Sequence, residues 1–423
     1  MAGYDVTGTQ AHSNLRRERS GMPDITPTDL TQRAAAVGDE LLSQAKELQD
    51  GSLTWGRGFG IDFGPVADSG LFNGRIGEAL FLSALATSTR ESRFADAALR
   101  IVEPLRVRLR SASEVTGLAA QIGLGISGIG SILYALVRMA SFLDLPSLRA
   151  DAAGAAESVS MDAVRAYPQF DIYWGAPGLI MGFLALMDSG VGVGGDLAVA
   201  CANHLLQVRV HNSSSKLRVW PTTEGLPTAG FAHGQSGVAH SLLELHHRTP
   251  RTDYYNAAME AFEFERSAFR EDIGDWADFP GQVEFRLCSW CHGAPGIALA
   301  RLSALTEVRD EDEPSIALDL RHALLRTISF QQDGSMDTIC CGTLGRADSL
   351  LEAGLRLNNR SLIDAATAMV AYVMGETVRR PFRVSLSTEM HQSGGTWQGL
   401  AGIGYELLRF SDPGRFPSLL RLA

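Results

Sequence analysis

The 423-residue chain is short of several things, and each shortage removes a class of protein. It holds only five Cys, an odd number spread over a long sequence. That is no disulfide framework, so thiols that are free or bound to metal in a reducing compartment are expected. Positive charge is also short: 37 Lys plus Arg stand against 48 Asp plus Glu, a formal net charge of −11. Polyanion contacts need clustered Lys and Arg, so neither nucleic acid nor an anionic membrane is an expected partner. The smoothest apolar stretch, 122–137, is broken by four Gly and two Ser and falls short of the ~20 residues of a membrane span. The opening MAGYDVTGTQAHSNLRRERSGMPD has no apolar core of the kind a secretory signal requires. Period-2 alternation and hairpin turns are scarce, which leaves strands a minor part. Disorder as the dominant state is excluded by the 45% hydrophobic content. A soluble, cytoplasmic protein is expected, with a polar arm over 1–25 and a single domain over 26–423.

Gly is plentiful: 44 residues, above the ~7% of ordinary usage. Two Gly separated by two residues open an apolar stretch at Gly74/Gly77, Gly125/Gly128, Gly175/Gly178, Gly234/Gly237, Gly293/Gly296, Gly342/Gly345 and Gly399/Gly402. The intervals are 51, 50, 59, 59, 49 and 57 residues. Counted from the second Gly, position +5 reads Leu82, Leu133, Phe183, Leu242, Arg301, Leu350 and Leu407; position +8 reads Leu85, Leu136, Leu186, Leu245, Ala304, Ala353 and Phe410. Position +1 is Ile129, Leu179, Val238, Ile297 or Ile403 in five of the seven. These offsets form one stripe of a helix, so each Gly pair is a loop-to-helix entry.

Each interval has room for two helices, and second helical segments are predicted at Phe94 to Leu109, bent or split at Pro104, at Asp196 to Val208 and at Ser315 to Ile328. Seven helix pairs suit an open solenoid or a closed ring. Closure is preferred, because neither end carries a polar capping repeat and small helix starts suit crowding about an axis. The expected fold is all-α, a seven-fold α/α toroid.

The residues just before each first Gly occupy equivalent places and are expected to gather at one end. At −2 they are Phe72, Gly123, Tyr173, Ala232, Cys291, Cys340 and Trp397; at −1, Asn73, Leu124, Trp174, His233, His292, Cys341 and Gln398. Three of the five Cys therefore converge from neighbouring units. Three thiolates suit Zn²⁺, with the fourth tetrahedral position kept for water or substrate. Cys288, three residues before Cys291, allows a closed four-Cys site instead, but it lies outside the equivalent slots and the open three-Cys site is preferred. Cys201 reads as a small core residue. His233 is a candidate for proton transfer, with His292 as competitor and Asp171 as an orienting carboxylate or a loop cap. Arg286 and Trp290, upstream of Cys291, are candidates for substrate contact.

These motifs resemble the lanthionine synthetase C-like family, the zinc-dependent cyclases that close thioether rings in lanthipeptides. The carriers are GLFNGRIGEALFLSALA, GISGIGSILYAL, DIYWGAPGLIMGFLAL, GFAHGQSGVAHSLLEL, SWCHGAPGIALARL, ICCGTLGRADSLLEAG and GLAGIGYELLRF, from about residue 33 to the C-terminus. SWCHGAPG followed some fifty residues later by CCG is the most specific part. The resemblance implies a seven-fold double helical barrel, zinc on Cys291, Cys340 and Cys341, His233 as the catalytic His and Asp171 as its acid. Cys341, where many stand-alone members have His, and the closing DPGRFPSLLRLA look like the cyclase domain of the bifunctional class II synthetases. The Arg that some members place four residues before the first zinc Cys is replaced by Leu287, with Arg286 one place off.

The implied reaction is addition of a peptide Cys thiol to dehydroalanine or dehydrobutyrine. The expected partner is a dehydrated precursor peptide, with a separate dehydratase beside it. A zinc enzyme that adds a glutathione-type thiol or transfers a prenyl group, and a peptide-binding scaffold with structural zinc, remain the alternatives.

Overall fold

In a computed structural model of the chain, residues 25–55, 69–72, 74–212, 215–282, 288–330, 335–384 and 394–422 are described. The arm, apart from Ile25, and Arg286 lie outside them. The helices in chain order are α1 (Pro27–Ser43), α2 (Arg75–Thr89), α3 (Ser92–Leu109), α4 (Ala112–Ile122), α5 (Ile129–Phe142), α6 (Pro146–Glu157), α7 (Met161–Ala166), α8 (Ala176–Asp188), α9 (Val193–Gln207), α10 (Gln235–Arg248), α11 (Thr252–Arg266), α12 (Ala294–Ala304), α13 (Glu313–Ser329), α14 (Thr343–Arg356), α15 (Arg360–Glu376) and α16 (Leu400–Ser411). Among the described residues the strands are antiparallel two-residue pairs: β1 (Lys46–Glu47) with β2 (Leu53–Thr54), β3 (Val210–His211) with β4 (Arg218–Val219), and β5 (Phe269–Arg270) with β6 (Asp275–Trp276). No described helix is long and apolar enough to cross a membrane.

The elements fall into two compact units. The flanking unit, Thr26–Val208 with Val384–Ala423, holds α1–α9 and α16; the central unit, built on Arg209–Arg383, holds α10–α15. In the flanking unit the Gly-marked helices pack in the order α16, α2, α5, α8, and in the central unit in the order α10, α12, α14. Each then packs on the helix that follows it: α2 on α3, α5 on α6, α8 on α9, α10 on α11, α12 on α13 and α14 on α15. Among the described residues no helix follows α16, and its partner is α1.

Two hydrophobic patterns explain these two kinds of helix. The Gly-marked helices are covered all round: in α2 every residue from Ile76 to Ala86 is buried, and in α8 every residue from Ala176 to Leu186. The outer helices bury one stripe, as α3 does with Phe94, Ala97, Ala98, Ile101, Val102, Leu105 and Leu109, the i, i+3, i+4, i+7 spacing of an amphipathic helix. α3 runs on continuously through Pro104, so the helix is not split there; packing of the stripe outweighs the lost backbone bond.

In several pairs the second Gly has a steric cause. A Cβ on Gly345 would stand 1.8 Å from the carbonyl oxygen of Ile339, and one on Gly402 would stand 1.7 Å from that of Thr396. In both cases the chain turns back so that the carbonyl six residues earlier fills the space of a side chain. Six of the inner helices begin directly after the first Gly of their pair. α5 differs: it begins at Ile129, after the second Gly of its pair. There a turn closes first, with Gly128 N donating to Gly125 O and Ser127 Oγ donating to the carbonyls of Ile122 and Tyr173.

Candidate metal centre

The loops before the inner helices are tied to one another through their backbones. In the central unit Phe231 N and Ala232 N both donate to the carbonyl of Cys291, at 3.2 and 3.3 Å, and Trp290 N donates to that of Cys340 at 2.9 Å. The flanking unit repeats the arrangement, with Leu124 N and Gly125 N on Trp174 O, and Thr396 N and Trp397 N on Phe72 O. Loop backbone that would otherwise be buried without partners is thereby satisfied. Within each unit these bonds bring loops of successive repeats side by side.

Cys291, Cys340 and Cys341 come together there, their sulfurs all within 4.8 Å of one another. Cys341 Sγ lies 3.5 Å from Cys291 Sγ and 3.3 Å from Cys340 Sγ. Sulfurs about 2.3 Å from a tetrahedral zinc stand roughly 3.8 Å apart, so these two separations need to open by only a few tenths of an ångström. Three soft donors with no carboxylate among them are a zinc-type set. Hydrogen bonds from the Cys340 and Cys341 thiols hold Cys291 well below the usual thiol range, and Cys291 in turn pushes both of those up. Ser289 Oγ stands 3.3 Å from Cys291 Sγ. Cys288 is fully buried, is not one of the grouped sulfurs, and is pushed well up by that burial. The geometry thus favours the three-Cys grouping over the four-Cys one. Cys201 is fully buried in α9, as a core residue should be.

Two imidazoles stand together, one of them on the residue that follows Cys291. The rings of His233 and His292 are 5.9 Å apart between centroids. His292 Nδ1 donates to Asp278 Oδ1 at 2.8 Å, which fixes the tautomer and leaves Nε2 as the basic nitrogen. Asp278 is 4% exposed and its backbone N–H donates to Gln282 Oε1. Asp171 lies in the flanking unit, buried, with its Oδ1 accepting from Trp174 N at 2.6 Å and its carbonyl accepting from Gly175 N. That is the loop-capping arrangement. Trp290 is fully buried against Phe231 and forms part of the core.

Several residues that build the site escape a reading of the sequence. Inner helices with Gly at the N-cap have no side chain to satisfy their first N–H groups. Here acids from other elements do it. Asp275 of β6 accepts from Ala294 N at 2.8 Å at the start of α12 and also from Arg326 Nε. Glu265 of α11 accepts from Gly230 N and Ser236 N, both at 2.9 Å, on either side of His233. Its other oxygen takes Ser236 Oγ at 2.6 Å and Arg301 Nη1 at 2.7 Å. Arg301 Nε reaches Asp319 Oδ2 at 3.0 Å, and its guanidinium covers the Phe262 ring. Only Arg301 had left a trace, as the charged residue in an otherwise apolar +5 slot.

The model of one protein family, described as lanthionine synthetase C-like protein, matches residues 65–421. Among solved structures, nisin cyclase is similar, with 15% identity, 93% of this chain and 96% of that one covered, and a TM-score of 0.61. The two share a fold, of the all-α class expected from the Gly-marked repeat. Fainter likenesses, on which nothing rests, are a sugar epimerase from a ruminal bacterium (11% identity, 68% of this chain and 87% of that one, TM-score 0.46) and the unsaturated glucuronyl hydrolase of Bacillus sp. GL1 (14%, 72% and 85%, TM-score 0.42). With the family model matched over residues 65–421, the greater part of its length, the chain belongs to the lanthionine synthetase C-like family.

Proposed function

We propose that this chain is a zinc-dependent lanthipeptide cyclase, acting as one domain over 26–423. It adds Cys thiols of a dehydrated precursor peptide to dehydroalanine or dehydrobutyrine in the same peptide, and so forms lanthionine and methyllanthionine. The observation that supports this most is the convergence of three thiols, together with two paired imidazoles, one of them on the residue that follows Cys291 and held by a buried carboxylate. Cys291, Cys340 and Cys341 would hold the zinc. When bound, zinc lowers the pKa of a coordinated thiol, so that a nucleophilic sulfur is available near neutral pH.

The reaction balances within the peptide. A C–S bond forms at the β-carbon, the C=C π pair passes to the α-carbon and carbonyl, and the thiol's proton ends on the α-carbon. His233 is the proposed donor of that proton, with Asp171 as its supporting acid by resemblance to the family; His292, held by Asp278, is the competitor. A separate dehydratase is proposed to supply the substrate, and the cytoplasm, where free thiols persist, to be the compartment. All five Cys are free.

The test is incubation of the zinc-loaded protein with a dehydrated, Cys-containing peptide. Loss of alkylatable thiol with unchanged peptide mass is expected. Unchanged thiols with zinc bound would overturn the cyclase reading, and full activity in His233→Ala would overturn that assignment alone.

A further inference from the structure

We infer that Arg346 is the counter-charge of the three-thiol site, a buried guanidinium that sets how tightly Cys291, Cys340 and Cys341 hold their cation. This rests on the zinc reading above and extends it to a residue outside the ligand set.

Arg346 stands in the first turn and a half of α14, five residues after Cys341, in the +1 slot where five of the other repeats carry an aliphatic residue. It is 4% exposed. Its Nη2 donates to Thr343 Oγ1 at 3.0 Å, its Nη1 reaches the carbonyl of Cys288 at 3.5 Å, and its guanidinium lies 5.0 Å from the centroid of the Phe330 ring. All of these partners are neutral.

Among the described residues no carboxylate pairs with Arg346. Three buried acids of the central unit are engaged elsewhere: Asp275 with Arg326 at 3.1 Å, Asp278 with His292 at 2.8 Å, and Asp337 with Arg380 at 2.7 Å. A guanidinium withdrawn from water needs an anion. Arg301, the comparable buried cation of the neighbouring inner helix α12, has two, Glu265 and Asp319. Arg346 is held instead between the segment that carries Cys288 and Cys291 and the one that carries Cys340 and Cys341.

Charge arithmetic names the anion. Three thiolates around a divalent cation leave one net negative charge, and a substrate thiolate in the fourth position makes it two. One fixed positive charge at the base of α14 offsets part of that. It favours the filled, fully ionised cage over the empty one, because only the former presents the guanidinium with a compact anion.

Charge and shape separate in three variants. Arg346→Lys keeps the charge and loses the planar fork, Arg346→Gln keeps a hydrogen-bond donor and loses the charge, and Arg346→Met loses both. Zinc affinity is measured on folded protein by competition with a chelator at one neutral pH and ionic strength. Lys is expected to stay within about threefold of the wild type, and Gln and Met to bind zinc roughly 10- to 100-fold more weakly. Should Met fail to fold, Gln alone decides, with melting of each zinc-free protein followed in parallel. Gln binding as tightly as the wild type, or Lys binding as weakly as Gln, overturns the inference. Failure of the wild type itself to bind zinc would overturn the zinc reading before the variants are compared.

Discussion

The +5 slot of the repeat makes Arg301→Leu an informative perturbation. Five of the other repeats carry Leu there and one carries Phe, so pattern alone says that Leu restores the consensus and stabilises the chain. The structure says the opposite. Arg301 and Glu265 are both fully buried and 2.7 Å apart, and Arg301 also bonds Asp319 and Ser236 at 3.0 Å. Leu would leave Glu265 charged, out of water and without its cation. Breaking a buried pair from one side costs about 3–5 kcal/mol. At about 2–4 °C per kcal/mol for a unit of this size, the melting temperature falls by roughly 6–20 °C. Because Glu265 holds the backbone on both sides of His233, amide exchange at Gly230 and Ser236 should speed up as well. Scanning calorimetry of the wild type, Arg301→Leu and the double variant Arg301→Leu/Glu265→Gln is the assay. The double variant removes the stranded charge while keeping an acceptor for the two N–H groups, and should recover at least about 1 kcal/mol over the single one. A single variant that melts at or above the wild type refutes the reasoning.

Three further outcomes follow from the geometry. Asp278→Ala frees His292 from its orienting partner; if that ring handles the proton, cyclisation slows roughly 10- to 100-fold with zinc content unchanged, and an unaltered rate assigns the step to His233. Gly345→Ala drives a methyl into the Ile339 carbonyl and should cost about 3 kcal/mol or more, read by urea denaturation; a neutral result would mean that the turn before α14 can relax. Burial pushes the Cys201 thiol up to about 12, so at pH 8 it stays protonated and should resist iodoacetamide until the chain is unfolded; rapid alkylation of native protein at Cys201 would contradict its burial.

What the sequence made legible and what it hid have separate causes. The inner helix starts are readable because two Gly recur at fixed spacing, and at Gly178, Gly296, Gly345 and Gly402 the second answers a steric demand, the carbonyl six residues earlier lodged where a Cβ would stand. The three Cys are readable because a repeat turns sequence position into place, and slots of equal register meet at the same end of neighbouring helices. The shifted start of α5 was hidden, since Ser127 and Gly128 close an extra turn by hydrogen bonds that the Gly pattern does not encode. Of the bend or split expected at Pro104, the split is absent, because the apolar stripe around it outweighs the missing N–H. Glu265, Asp275 and Asp278 were hidden because they come from an outer helix and from a hairpin and the loop after it, at no fixed register to the motif, and reach the site only by packing. Arg301 was visible as a departure from the stripe, yet its role depends on which acids lie opposite.

The central claim is that three thiols from equivalent repeat slots, and no other Cys, make the metal centre. Zinc content per chain, measured on purified wild type and on Cys288→Ala, Cys291→Ala, Cys340→Ala and Cys341→Ala, tests it most directly. One zinc in the wild type and in Cys288→Ala, with loss from each of the other three, is the expected result; zinc lost from Cys288→Ala, or kept by a folded Cys340→Ala, would contradict it.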